Sequence, residues 1–163
     1  MKTEIIISLA DLIERGGIHY RVPGASPKEV ITEALGLLPA DTGLDSSGLL
    51  REILEREALM STGIGRGIAL PHPRNPPLGE TGKPLVALAF PALPLDWNTP
   101  DGSKVDTVFL IVSSSAKQHL GALSKITFLC QQEKFIKLIK KQASKKAIIA
   151  AIRKAETAWA KAE

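Results

Sequence analysis

Two almost uninterrupted apolar runs, over residues 84–90 and 105–112, constrain the fold of this chain more than any other feature. Apolar runs of this length that do not alternate with polar residues are typical of strands buried on both faces of a sheet. Residues 18–22 predict a further strand, and segments with helical apolar spacing lie before and after the two runs. The sequence therefore predicts an α/β fold in which a mixed central β-sheet is sandwiched by helices.

Capping signals mark where the predicted helices begin. Ser8 begins the first, which ends at two consecutive glycines, and Ser26, Pro27 and Glu29 form a capping box at the start of the second. Four more helices are predicted, after residue 47 as far as residue 57, after the serines at 113–115, around residues 135–139 and from residue 144. Residues 75–83 and 91–103 are predicted to be loops.

Length and composition indicate a single domain over residues 1–163, with enough apolar residues, 44 %, for a substantial core. The longest apolar run, around residues 85–90, is far too short to cross a bilayer, so no membrane insertion is expected. The N-terminal residues lack the cleavage site of a signal peptide. One cysteine, Cys130, permits no internal disulfide, which favours a reducing, cytoplasmic location.

The net charge of +4 is unevenly distributed along the chain. The segment 134–154 holds eight basic residues and no acidic one: Lys134, Lys137, Lys140, Lys141, Lys145, Lys146, Arg153 and Lys154. The rest of the chain has 13 basic and 17 acidic residues. A nucleic-acid-binding module is one explanation of this basic segment. A solvated pair of amphipathic helices is favoured, because few aromatic residues that could stack on bases lie there.

A glycine-rich segment leads into a histidine held between two prolines. Three glycines at alternate positions of residues 63–67 let the backbone take positive φ or approach another group closely. Pro71 and Pro73 restrict the residues before them, so His72 is predicted to be presented from a stiff, extended backbone. A neutral imidazole can attack a phosphoryl group near physiological pH, because its unperturbed pKa is about 6.5. The alternative is a histidine that only caps the end of a strand.

This segment resembles the signature of a known family. Arg56-Glu57, Ser61-Thr62-Gly63-Ile64-Gly65, Gly67-Ile68-Ala69 and Pro71-His72 are similar to the motif of the fructose/mannitol-type enzyme IIA of the bacterial phosphotransferase system. The sequence Ser-Thr-Gly-Ile-Gly is most similar to the nitrogen-regulatory branch of that family. Residues 94–97, residues 101–109 and the pair His119-Leu120 also look like the family, so the resemblance covers nearly the whole chain.

The resemblance implies a phosphocarrier that forms a phosphohistidine. His72 would accept a phosphoryl group from a histidine phosphocarrier protein, with Arg56 and His119 stabilising the group during transfer. The group would then pass to the IIB domain of a sugar transporter, or its presence would regulate a target protein. The similarity of the motif to the nitrogen-regulatory branch favours regulation. The chain would act as a free-standing subunit. A sugar-specific fructose or mannitol subunit is the alternative within the family.

Other features argue against different kinds of site. No Gly-Lys-Ser/Thr follows the glycines, so the segment is not a nucleotide-binding P-loop. The three histidines and one cysteine lack metal-ligand spacing, so neither a metal nor another cofactor is expected. His19, in a half-buried strand, is predicted to be structural. An interaction protein that has lost phosphoryl transfer is disfavoured, because His72 and Arg56 are both present.

Four features of the motif keep more than one interpretation. The N–H groups around the glycines could bind an anion or only permit tight turns. Glu57 matches the motif, and its simplest role is a local ion pair or cap. Arg66 stands where the nitrogen-regulatory branch often has asparagine, which could alter phosphate contacts or only add surface charge. Trp97 replaces a frequent phenylalanine and is predicted to pack rather than to bind.

Overall fold

The computed structural model describes residues 7–76 and 83–162. Its helices are α1 (Leu9–Gly16), α2 (Pro27–Gly36), α3 (Ser46–Leu59), α4 (Ala116–Leu129), α5 (Glu133–Lys140) and α6 (Lys145–Ala162), with a short 3-10 turn at Ala40–Thr42. Its strands are β1 (Ile18–Val22), β2 (Gly63–Gly65), β3 (Ile68–Ala69), β4 (Leu85–Pro91) and β5 (Thr107–Val112). Among the residues so described, no helix combines the length and the apolar character needed to cross a bilayer.

The strands form one mixed sheet in the order β1-β4-β5-β3-β2. β1 pairs parallel to β4 and β3 pairs parallel to β5, whereas β4 and β5 are antiparallel, as are β2 and β3. Every residue of β4 and β5 is buried, which explains why both appear in the sequence as apolar runs. The predicted mixed sheet is therefore confirmed.

Helices cover both faces of this sheet. Alternate residues of β4 point to opposite sides, so that Leu88 joins the core beneath α1, α4, α5 and α6, whereas Ala87 joins the core beneath α2 and α3. Fully burying a large side chain such as Phe90 or Phe109 contributes about 1.5–3 kcal/mol to folding. This arrangement confirms the predicted sandwich of helices around the sheet.

The predicted serine caps are present, but the capping box of α2 is incomplete. The side chain of Ser8 accepts a hydrogen bond from the N–H of Asp11 at the start of α1, and Ser115 accepts one from Gln118 at the start of α4. Ser26 caps α2 through Glu29, although the Glu29 carboxylate bonds the N–H of Ala25 rather than that of Ser26. Most of the predicted loop at 75–83 lies outside the described residues.

The glycine-rich segment is regular secondary structure in this fold. It forms the short hairpin of β2 and β3, and β3 pairs with β5 through Ile68 and Thr107. Arg66 occupies the turn with φ 57°, and Gly67 follows with φ 77°. The glycines thus bring a two-stranded extension to the edge of the sheet, directly before His72.

Candidate functional site

His72 follows β3 on a backbone that is tied on both sides. The N–H of Leu70 donates to the carbonyl of Thr62 at 3.0 Å, and the N–H of Ile111 in β5 donates to the carbonyl of Pro71 at 3.0 Å. Both prolines are buried, whereas His72 is half-buried. The structure therefore presents this imidazole from an extended, fixed backbone at the end of the sheet, as the sequence predicts.

One hydrogen bond defines the protonation of the His72 ring. Its Nδ1 lies 2.7 Å from the carbonyl oxygen of Leu70. Because a carbonyl oxygen only accepts, Nδ1 carries the proton and donates it. The lone pair of the neutral ring then lies on Nε2, which is the nitrogen available for attack on an electrophile.

His119 lies beside His72, although 47 positions separate them in the sequence. It occupies the first turn of α4, the helix that begins just after β5 ends. The two ring centroids are 4.6 Å apart and the ring planes are inclined by 50°. The parallel pairing of β3 with β5 produces this juxtaposition, because the C-terminal ends of both strands lie at the same end of the sheet.

The surroundings keep both rings neutral. Burial lowers the pKa of His72 below its ordinary 6.5, and the positive charge of Arg56 acts in the same direction, while the Leu70 carbonyl and the Glu57 carboxylate oppose it. Burial lowers the pKa of His119 to about 4, with further contributions from His72 and Arg56. A neutral imidazole is the form that can act as a nucleophile, so the site favours that chemistry at physiological pH.

Arg56 supplies the positive charge of the site. It lies near the end of α3 and is half-buried, and its Nη1 donates to the carbonyl of Met60 at 2.8 Å. Its charge acts on both His72 and His119. The structure therefore brings together the three residues that the resemblance implied, with a guanidinium fork suited to phosphoryl oxygens.

Glu57, whose role the sequence leaves open between a local ion pair or cap and something more, has partners in two other segments of the chain. Its carboxylate accepts hydrogen bonds from the N–H of Thr62 at 3.2 Å, from the Thr62 hydroxyl, and from the indole of Trp97 at 3.3 Å. Trp97 is 2 % exposed, so it packs as predicted and also donates. No local sequence signal identifies this network, because Trp97 lies 40 positions from Glu57.

The hairpin N–H groups are occupied by the protein itself. Those of Gly63, Arg66 and Gly67 donate to side-chain oxygens of Ser61, Asp101 and Ser103, respectively. These three N–H groups are therefore not available to bind an anion, and the interpretation that the glycines permit tight turns is the one that fits. The Arg66 side chain pairs with Glu133 of α5 at 2.9 Å, which makes it a surface charge rather than a phosphate ligand in this structure.

The other histidine and the cysteine are structural. His19 donates from Nε2 to the carbonyl of Gly16 at 2.9 Å. Cys130 is buried, and burial raises the pKa of its thiol to about 12, so it is an unreactive core residue. Within residues 7–76 and 83–162, no cluster of three or more His, Cys, Asp or Glu side chains could hold a metal ion.

The surface around the two histidines combines apolar and charged groups. Leu120 follows His119 and is 63 % exposed, and Leu59 and Met60, which end α3 just after Arg56, are 65 % and 71 % exposed. Beside His119 lies a cavity of about 280 Å³ whose lining includes Arg74. Such a surface is typical of transient protein–protein contacts, in which apolar groups lie within a polar rim.

The basic segment lies at a different place. Lys140 contacts Asp106, just before β5, at 2.5 Å, and Arg153 pairs with Asp11 at 2.9 Å and with Glu14 at 3.1 Å. Lys145 and Lys146 line a separate cavity against α1 and the start of β1. Lys140 therefore lies at the end of β5 that is remote from His72, and Lys145 and Lys146 lie beside β1, three strands away from β3.

Comparison with known proteins gives a consistent picture. A family model described as "Phosphoenolpyruvate-dependent sugar phosphotransferase system, EIIA 2" matches residues 11–155. A nitrogen regulatory protein of Pseudomonas aeruginosa is 32 % identical over 124 residues, which are 74 % of this chain and 79 % of that protein. The fructose-specific EIIABC component of Bacillus subtilis is 29 % identical over 146 residues, or 88 % of this chain but only 22 % of that longer protein.

Solved structures share the fold. The nitrogen regulatory protein IIA-Ntr of Neisseria meningitidis superposes with a TM-score of 0.76 at 24 % identity, covering 88 % of this chain and 97 % of that one. The complex of enzyme IIA-mannitol with phosphorylated enzyme IIB-mannitol of Escherichia coli gives a TM-score of 0.69 at 18 % identity, with 85 % and 94 % covered.

Proposed function

Since the chain belongs to the EIIA 2 family of the phosphoenolpyruvate-dependent sugar phosphotransferase system, we propose that His72 is the residue that carries its phosphoryl group. Domains of this family are phosphocarriers and work through a phosphohistidine. The observation that carries the proposal is the hydrogen bond from Nδ1 of His72 to the Leu70 carbonyl, because it leaves the Nε2 lone pair free. Residues 1–163 would act as one domain.

In the proposed reaction, Nε2 attacks the phosphorus of a phosphohistidine on the donor protein. The new N–P bond forms as the donor's N–P bond breaks, and the bonding electron pair returns to the donor's nitrogen. The Nδ1 proton stays on His72 throughout and keeps its bond to Leu70. Little further covalent chemistry is needed, so positioning and charge stabilisation determine the rate.

Arg56 and His119 would assist in different ways. Arg56 is the cation of the site and would offer two parallel donors to the oxygens of the transferring group. His119 has a pKa of about 4 and is therefore neutral, so it would contribute a hydrogen bond rather than a charge. Their closeness to His72 supports both roles.

The partners belong to the same proposal. Domains of this family receive their phosphoryl group from phosphocarrier proteins and pass it to IIB domains. We propose that the donor here is a histidine phosphocarrier protein, and that regulation of a target protein is the output. Relatives named nitrogen regulatory protein support this choice. Transfer to a sugar transporter's IIB domain is the alternative, supported by the fructose-specific relative. A cytoplasmic location fits the single, buried cysteine.

The test is to supply phosphoenolpyruvate and a complete phosphorelay, and to map acid-labile phosphate on the protein. His72→Ala should incorporate no phosphate while its circular dichroism stays that of the wild type. His19→Ala is the matched control, because His19 lies on β1, away from His72, where its ring bonds the nearby Gly16 carbonyl, and it should incorporate phosphate normally. Normal incorporation in His72→Ala would show that another residue carries the group.

A further inference from the structure

The carboxylate of Glu57 connects three parts of the chain that meet beside the candidate site. It extends from α3 and bonds both the N–H and the hydroxyl of Thr62, which leads into β2. It also accepts from Trp97, in the segment between β4 and β5. Thr62 is 6 % exposed, so its bonds to this carboxylate are shielded from water and restrict its position strongly.

From Thr62 the contacts continue to the reactive ring. The carbonyl of Thr62 accepts from the N–H of Leu70 at 3.0 Å, and the carbonyl of Leu70 accepts from Nδ1 of His72 at 2.7 Å. Leu70 therefore connects Thr62 to the imidazole, because Thr62 holds its N–H and its carbonyl orients the His72 ring. Only Thr62 and Leu70 stand between the Glu57 carboxylate and His72.

We propose that Glu57 is a positioning residue for phosphoryl transfer, which holds the Leu70 carbonyl against Nδ1 of His72 by fixing Thr62. The inference rests on the proposed function of His72. In this role Glu57 touches no reacting atom. It keeps the proton on Nδ1 and the lone pair on Nε2, in the same way that outer-shell carboxylates fix the tautomer of a metal-binding histidine.

Trp97 adds a contact that a phenylalanine at this position cannot make. Its indole N–H donates to Oε1 of Glu57, while its own carbonyl accepts from the hydroxyl of Ser61 at 2.5 Å. Both bonds act on residues adjacent to or bound to Thr62. Trp97 is therefore part of the same positioning network, with a smaller share because it provides one of the three donors to the carboxylate.

The test compares Glu57→Gln with Glu55→Gln, a matched change at an exposed position of the same helix. Single-turnover transfer from the phosphorylated carrier gives the maximal rate and the half-saturating carrier concentration, and ¹⁵N NMR of the ring nitrogens gives the His72 tautomer. Glu57→Gln should lower the maximal rate about tenfold or more, as expected for the loss of a charged hydrogen-bond partner. The half-saturating concentration should stay within twofold.

The tautomer distinguishes positioning from a merely structural role. In the wild type and in Glu55→Gln, ¹⁵N shifts should show the proton on Nδ1, whereas in Glu57→Gln they should move towards a mixture of both tautomers. A folded Glu57→Gln protein with the wild-type rate and a single Nδ1–H tautomer would overturn the inference. If Glu57→Gln does not fold, Trp97→Phe and Thr62→Val are measured in the same two assays. A wild-type rate and a single Nδ1–H tautomer in both variants would overturn the inference.

The NMR measurement needs no phosphoryl group, so it separates the two proposals. A wild-type protein that takes no phosphate on His72 would refute the proposed function. The dependence of the His72 tautomer on Glu57 would still be decided by the spectra of the unphosphorylated proteins.

Discussion

The ring of His72 meets two separate requirements of a phosphoryl acceptor, and different neighbours supply them. The Leu70 carbonyl determines which nitrogen is free, and burial together with Arg56 lowers the pKa so that the ring is neutral. His119 is neutral for the same reasons, and its pKa falls further because His72 is adjacent. Arg56 is therefore the only cation among these three residues at physiological pH.

This difference leads to a prediction for Arg56 and His119. If they stabilise the transferring group without carrying it, Arg56→Ala and His119→Ala should still accept phosphate on His72, but more slowly. Loss of a charge-assisted contact costs about 1.5–3 kcal/mol, or roughly one to two decades in rate. Rapid-quench measurement of transfer from the carrier gives the rates.

The control for this prediction is Arg51→Ala, an exposed arginine on the same helix α3. It should transfer at the wild-type rate. Rates within twofold of wild type for both Arg56→Ala and His119→Ala would exclude these residues from the site.

At the scale of single elements, the sequence predicts what local signals determine. Serine caps and apolar spacing locate α1, α2 and α4, and continuous apolar runs locate β4 and β5. The β2–β3 hairpin has no such local signal, because it depends on pairing between Ile68 and Thr107, 39 positions apart. Its glycines alone are equally compatible with a loop, and only the resemblance indicated their importance.

The hairpin turn provides a prediction about stability. A Cβ added at Gly67 would lie 2.6 Å from Nζ of Lys140 and 3.0 Å from the carbonyl oxygen of Lys104, and φ there is 77°. The left-handed conformation alone costs a non-glycine residue about 1–2 kcal/mol, so Gly67→Ala should lower the free energy of unfolding by at least that much. Urea denaturation measures the change.

Gly36→Ala is the matched control for this substitution. Gly36 lies in α2 and a Cβ there meets no atom within 4 Å, so alanine should raise the free energy of unfolding by up to about 1 kcal/mol. Equal effects of the two substitutions would contradict the role of Gly67 in the turn.

A second prediction at this scale concerns the contact between α6 and α1. Glu156 accepts from the N–H groups of Leu9 and Ala10 at 2.9 and 3.0 Å and from Lys125 at 2.7 Å. Burial raises the pKa of this carboxyl, but these donors outweigh burial and leave the pKa below its ordinary 4.5. Glu156→Gln should therefore lower the free energy of unfolding at pH 7 by about 1.5–3 kcal/mol.

The pH dependence gives this prediction a sign. A carboxyl whose pKa is lower in the folded state stabilises the protein above its unfolded pKa, and this stabilisation is lost as pH falls through the folded pKa. The gap between wild type and Glu156→Gln in urea denaturation should thus narrow below pH 4.5. Glu33→Gln, at an exposed position of α2, should have the same free energy of unfolding as the wild type both at pH 7 and below pH 4.5.

At the scale of the whole molecule, the two features that the sequence singled out lie apart. His72 follows β3, at the end of β5 where Ile111 bonds Pro71, whereas Lys140 contacts Asp106 at its beginning. A strand of six residues spans roughly 17 Å. β1, beside which Lys145 and Lys146 lie, is three strand positions from β3, or about 14 Å.

This separation leads to a prediction about docking. Reversing both Lys145 and Lys146 to glutamate should leave phosphoryl transfer from the carrier within twofold of wild type. Arg74→Glu should slow transfer and alter its salt dependence, because Arg74 is exposed beside the cavity at His119 and rim charges act on association. Transfer that is crippled by the lysine reversals but unaffected by Arg74→Glu would place the docking surface elsewhere.

The meeting of His72 with His119 is the part of the site that residue patterns alone do not predict. Helical spacing places His119 on one face with Leu123, which is equally typical of a core histidine. Its contact with His72 requires that β3 pair with β5 and that α4 begin at the end of the sheet where both strands finish. Only the resemblance to a family carried that information before the structure.

The hydrogen bond between His72 and Leu70 also bears on how long a phosphoryl group would remain. In the proposed reaction, the nitrogen that attacks in one step is the leaving group in the next. A ring that keeps its Nδ1 proton leaves more readily than one that has lost it, because the departing imidazole is then neutral rather than anionic. By holding that proton, the Leu70 carbonyl would make release of the phosphoryl group from His72 about as easy as its uptake from the donor. The phosphorylated protein would then be a short-lived, readily discharged intermediate whose occupancy follows its donor.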